Sequence, residues 1–114
     1  MCRKAAVLFH KVANVSMHIS EIQKQAHELA QKHGWQKHDI DQRFHHLISE
    51  IDELSRELLR YASPDARKKD VDRAVGYEIY DIVWNLCELA NQLDIDLEPY
   101  FLEKIEINRK RSWK

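Results

Sequence analysis

The sequence predicts an all-α fold of four helices, and three observations carry that reading. Apolar residues recur at spacings of three and four through four segments. Only two Gly and two Pro occur in 114 residues, and they fall mostly between those segments, where helix punctuation belongs. No segment alternates apolar and polar residues at the period of a strand. A chain of this length holds one domain. We place it at residues 16–114, preceded by residues 1–15, which lack a clear period and read as an N-terminal arm or a short extra helix.

Helix 1 starts at Ser16 or Ser20, either of which can cap it, and turns Ile19, Ile22, Ala26, Leu29 and Ala30 toward a core. Gly34 closes it after Lys32 and His33, in the position where a left-handed residue ends many helices. Helix 2 opens at Asp39 or Asp41. Asp39 and Gln42 have the spacing of a capping box, in which each side chain satisfies the other residue's backbone N–H. Phe44, Leu47, Ile48, Ile51, Leu54, Leu58 and Tyr61 then form one stripe, which stops at Ser63-Pro64. Helix 3 begins between Pro64 and Asp70 and carries Val71, Val75, Ile79, Ile82, Val83, Leu86, Leu89 and Leu93. It accommodates Gly76 at about 1 kcal/mol relative to Ala. A last helix follows Pro99 with Phe101, Leu102, Ile105 and Ile107, and gives way to a basic run from Arg109.

Charge narrows the classes of function. With 18 Lys and Arg against 19 Asp and Glu, no global field attracts nucleic acid, and the local basic clusters lack interleaved aromatic residues. Nucleic acid is therefore not an expected partner. No run approaches ~18 consecutive apolar residues, so no membrane span is expected. The apolar run from Ala5 to Phe9 is cut by His10 and Lys11 before it reaches the length of a secretory signal. Cys2 and Cys87 stand far apart without a CxxC pair, which suits a reducing compartment, and we expect the protein in the cytoplasm.

The chemistry is carried by carboxylates beside the core stripes. At 100° per residue, Glu50, Glu53 and Glu57 collect on one flank of helix 2, and Glu78, Asp81 and Asn85 follow a polar seam at the edge of the apolar face of helix 3. Antiparallel packing of the two helices brings Glu50, Glu53, Glu78 and Asp81 to one place. Two such charges ~6 Å apart repel by roughly 3 kcal/mol at an effective dielectric of 20. A counterion is needed, and no Lys or Arg is expected on the matching faces. A hard divalent cation, best Mg²⁺, satisfies several oxygen ligands at once. For a single ExxE a solvated helix face is the simpler reading; the second acidic pair on the next helix is what favours a shared site. A di-iron centre would need Glu-x-x-His on two helices, which is absent, and His45-His46 lacks a third ligand at zinc spacing.

In this order the motifs resemble those of the MazG-like nucleotide pyrophosphohydrolases, the all-α NTP pyrophosphatase superfamily. Its ExxE reads here Glu50 to Glu53, and its ExxD reads Glu78 to Asp81 after a spacer of 24 residues. Its terminal K-x-x-x-N-x-x-R reads Lys104, Asn108, Arg111. The resemblance implies a four-helix MazG-like bundle assembled as a dimer or tetramer. It implies Mg²⁺-dependent cleavage of a (d)NTP between the α and β phosphates, giving (d)NMP and pyrophosphate, as nucleotide-pool housekeeping. Carried over by position, Glu50, Glu53, Glu78 and Asp81 hold the metal, and Glu53, with Glu50 beside it, is the catalytic carboxylate that orients the attacking water. Lys104, Asn108 and Arg111 reach the phosphates; the alternative for this basic tail is ordinary solvated charge. Trp35 and His38 resemble the aromatic residue and His that dCTP-hydrolysing relatives contribute from the first connection, and Asn85 stands where some relatives place an aromatic, within reach of sugar or base. Phosphoribosyl-ATP pyrophosphatase and dUTPase-like enzymes share this carboxylate logic. A rival from another class is a non-catalytic helical interaction module, against which the four intact acids argue.

Tyr77, Tyr80 and Trp84 form a second apolar face on helix 3, opposite Val75, Ile82 and Leu86. A helix apolar on both faces is buried on both, so a second subunit is expected to cover these rings, unless helix 1 or the N-terminal arm does.

Overall fold

The computed structural model describes residues 17–112, so the expected arm, Ser16 and Cys2 lie outside the described residues. Four α-helices are found there, α1 (Ile19–His33), α2 (Ile40–Leu59), α3 (Lys68–Gln92) and α4 (Leu97–Lys110), with 3₁₀ turns at Trp35–Lys37 and Arg60–Ala62. They form an all-α bundle with no strand among the described residues. No helix there is long and apolar enough to cross a membrane.

Local chemistry sets most boundaries. Asp39 and Gln42 do form a capping box, with Gln42 N donating to Asp39 Oδ1 at 2.7 Å and Asp39 N to Gln42 Oε1 at 2.9 Å. Gly34 ends α1 at φ 73°, a left-handed conformation that glycine takes without Cβ strain. Two boundaries differ from expectation. His18, not a serine, holds the cap position of α1, and its carbonyl accepts from Glu21 N and Ile22 N. Pro99 lies inside the first turn of α4 rather than ahead of it, because Asp96 caps that helix and a first-turn proline gives up an N–H that has no intrahelical acceptor.

α3 is the central element and packs on both α2 and α1. The pairing of Glu50 with the Glu78 and Asp81 level, and of Arg43 with Asn85 and Gln92, makes α2 and α3 antiparallel. Gln23 with Asn91 and His27 with Glu88 do the same for α1 and α3. Between them lies a small core, in which Ala26 and Ala30 let α1 approach Trp84 and Cys87 closely, with Ile19, Ile22, Val83 and Leu97 around it. A buried polar node fastens the bundle end. Gln23 donates to Asn91 Oδ1 at 3.1 Å and to the Ile95 carbonyl at 2.9 Å, and its Oε1 accepts from Leu97 N at 2.8 Å. α4 is tied on at that end and buries no residue of its own.

The structure redistributes the two apolar faces of α3. Trp84, expected to look outward, is 6% exposed and belongs to the core, covered by α1, while Tyr77 and Tyr80 remain open. Several residues assigned to the core stripes, Ile51, Leu58 and Leu86 among them, are nearly half exposed, and so is much of α4. Leu29, expected inward on α1, is also exposed. α1 and α2 both pack on α3, and the remaining apolar faces of α2 and α3 stay uncovered in the single chain.

Candidate metal centre and adjoining cavity

Glu50 on α2 and Glu78 and Asp81 on α3 are brought together, each offering an oxygen within 4.8 Å of the others. The i, i+3 spacing puts Glu78 and Asp81 on one edge of α3, and the antiparallel register sets that edge against Glu50. Glu53, one turn along α2, is more exposed, and its charge acts on all three. Glu50 Oε2 and Glu78 Oε2 are shielded from solvent and have no hydrogen-bond partner. The electrostatics record the strain. Burial first, then the adjoining Glu78 and the charges of Glu53 and Asp81, push the Glu50 carboxyl up to about 7. Burial also raises Glu78 and Asp81, with Glu53 adding to both, while His46 partly offsets the rise at Asp81. His46 Nε2 lies 3.4 Å from Glu50 Oε1. Orphaned carboxylate oxygens, with no amine or guanidinium ion-paired to them among the described residues, and an all-oxygen donor set fit a hard divalent cation. Glu57 stands apart and pairs with Arg60 at 2.6 Å.

His46 also lines a cavity of about 450 Å³ next to this cluster, with Trp35, His38, Gln42, Arg43 and Trp84. Trp35 stacks on His33, with ring centroids 4.5 Å apart, and meets Trp84 edge-on at 5.8 Å. The Arg43 guanidinium lies 5.1 Å from the centre of the Trp84 ring. It donates to the Trp35 carbonyl at 2.9 Å, to Asn85 Oδ1 at 3.5 Å and to Gln92 Oε1 at 3.4 Å, while the Gln92 amide holds the His38 carbonyl.

Trp35 and His38 thus stand in one cavity beside the carboxylates. Asn85 does not line it: it is 1% exposed, donates to the Asp81 carbonyl at 2.7 Å and supports Arg43 from behind. Lys104, Asn108 and Arg111 lie on exposed α4 and just beyond it, and none lines the cavity. Arg43, Trp84, Gln42 and His46 were missed in the sequence. The expectation that no cation shares the matching helix faces is corrected, since Arg43 is buried on the same seam as Glu50, two turns earlier. The signal was present as a register: Arg43, His46, Glu50 and Glu53 repeat the i, i+3, i+7, i+10 spacing of Glu78, Asp81, Asn85 and Glu88.

No protein-family model matches the chain, and no curated protein is significantly similar to it. What stands is a four-helix all-α bundle with a candidate acidic site able to coordinate a divalent cation.

Proposed function

We propose that this protein is a Mg²⁺-dependent nucleoside triphosphate pyrophosphohydrolase of the MazG-like type, acting in the cytoplasm on the nucleotide pool. The observation that carries this reading is the convergence of Glu50, Glu78 and Asp81 within 4.8 Å, with two orphaned buried oxygens. Glu50, Glu53, Glu78 and Asp81 hold Mg²⁺, which when bound neutralises the triphosphate and the charge that develops on the leaving pyrophosphate. Glu53, on the open side of the cluster, orients a water and takes its proton. The water oxygen bonds to phosphorus as the bridge between the α and β phosphates breaks, leaving a monophosphate and pyrophosphate. Trp35 offers its face to the base and His38 its ring edge, and Asn85 acts by positioning Arg43.

Lys104, Asn108 and Arg111 serve the phosphates. The half-exposed faces of Ile51, Leu58, Ile79 and Leu86 support a homodimer or homotetramer, in which α4 gains the burial it lacks in one chain. The test is release of pyrophosphate against orthophosphate across the common nucleotides and phosphoribosyl-ATP, with and without Mg²⁺. Pyrophosphate appearing only with the metal is expected, and the substrate ranking separates the dUTPase-like and phosphoribosyl-ATP relatives. Release of orthophosphate alone, or of nothing from any substrate, overturns the proposal and leaves a non-catalytic helical module.

A further inference from the structure

The cavity beside the carboxylates is rich in hydrogen-bond donors and poor in acceptors. A guanidinium has five N–H bonds and no acceptor, and Arg43 commits three of them, to Gln92, Asn85 and the Trp35 carbonyl. One N–H on each terminal nitrogen is left over, on a side chain that lines the cavity and is 2% exposed. Trp84, also buried and also lining, has an indole N–H without an acceptor. Gln42 Oε1 is already taken by Asp39 N, so its amide brings N–H groups. Among the described residues no carboxylate lines this cavity. The ring nitrogens of His38 and His46 are the side-chain acceptors that remain, and His46 is engaged with Glu50.

Such a wall fits a ligand edge made of acceptors. Uracil, thymine, guanine and hypoxanthine carry a carbonyl where cytosine and adenine carry an amino group. We infer that Arg43, assisted by Trp84, makes this cavity select oxo-bases over amino-bases, so that Arg43 is a specificity-determining residue of the nucleotide site. The inference rests on the nucleotide reading above and departs from the cytosine preference that Trp35 and His38 alone suggest.

The selectivity follows from unpaired groups. An exocyclic amino group facing Arg43 sets N–H against N–H and leaves the buried guanidinium N–H without a partner once the base shuts out water, a loss that is heavily penalised. A carbonyl in the same place accepts from the fork. Arg43 is not free to swing aside. Three hydrogen bonds and the Trp84 ring fix its plane, and the wholly buried carboxylate of Glu88 attracts it from behind. The donors are therefore in place before a ligand arrives.

The test measures binding of matched monophosphates to the whole chain in Mg²⁺ buffer by calorimetry, dUMP against dCMP and dIMP against dAMP. The oxo member of each pair is expected to bind about tenfold tighter or more. Arg43→Lys, which keeps a cation near Glu88 without the planar fork, is expected to bring both ratios toward one. Equal affinity within the pairs, tighter binding of the amino member, or no binding of either overturns the inference. If Arg43→Lys does not fold, the wild-type ratios decide alone. Pyrophosphate release from the triphosphates is measured separately. An oxo preference without any release overturns the hydrolysis and not the selectivity, and release without preference overturns the selectivity alone.

Discussion

Glu50 links the candidate metal centre to stability in a form that can be measured without a substrate. Its carboxyl titrates near 4.5 in an unfolded chain and near 7 in the folded one, a difference of about 3 kcal/mol. Between those values the folded state binds more protons than the unfolded state, so stability present below pH 4.5 is lost as pH rises through about 7. Glu78 and Asp81, also raised by burial, act in the same direction. In EDTA the protein should therefore melt roughly 10 to 20 °C lower at pH 8 than at pH 5. Mg²⁺ binds the ionised folded form and should restore about 2.7 kcal/mol at 100 times its Kd, with the largest gain at the alkaline end. Glu50→Gln should flatten the pH dependence and weaken the response to metal. Scanning calorimetry from pH 5 to 8, with and without Mg²⁺, reads all of this. A melting temperature independent of pH in EDTA, or one that Mg²⁺ leaves unmoved at pH 8, would refute the reasoning.

Glu78→Gln should lower pyrophosphate release by about 100-fold and reduce Mg²⁺ stabilisation, read by a coupled pyrophosphate assay and thermal shift. Gln23→Ala strands Leu97 N, the Asn91 side-chain oxygen and the Ile95 carbonyl and should destabilise by about 2 to 3 kcal/mol in urea titration, with activity per folded molecule retained. Asp39→Ala removes one half of the capping box and should lower stability by about 1 kcal/mol in the same titration. Light scattering should find a dimer or tetramer, and Leu86→Arg on the half-exposed face should dissociate it; a wild-type monomer would remove the assembly from the proposal.

What could be read from the sequence was what neighbours in the chain decide. Asp39, Gln42 and Gly34 act within one turn of their own backbone, so residue type and spacing suffice. Glu50, Glu78 and Asp81 were legible because i, i+3 spacing fixes each edge and the short connection allows only adjacent packing. The side on which the core lies was not legible. α3 is apolar on two faces, and periodicity cannot tell which one a small α1 will cover; Trp84 is therefore buried where Leu86 was expected to be. Arg43 was expected off the matching face of helix 2, but it lies on the carboxylate seam two turns before Glu50, held there by Asn85 and Trp84 of α3, which the spacing within α2 does not reveal. The placement of Lys104, Asn108 and Arg111 depends on how α4 leaves the bundle, which follows from the Gln23 node and not from their own spacing.

The 3₁₀ connection at Trp35–Lys37 is pinned from two directions, Arg43 of α2 gripping the Trp35 carbonyl and Gln92 of α3 gripping that of His38. The same two helices supply Glu50 and the Glu78–Asp81 edge. A slip of α3 along α2 by one turn, about 5.4 Å, would release the Gln92 clasp and scatter the acids in a single movement. Cavity and carboxylates are thus mounted on one mechanical frame, and an insertion of a single residue within α2 between Arg43 and Glu50 would put them out of phase with each other while leaving every side chain chemically intact.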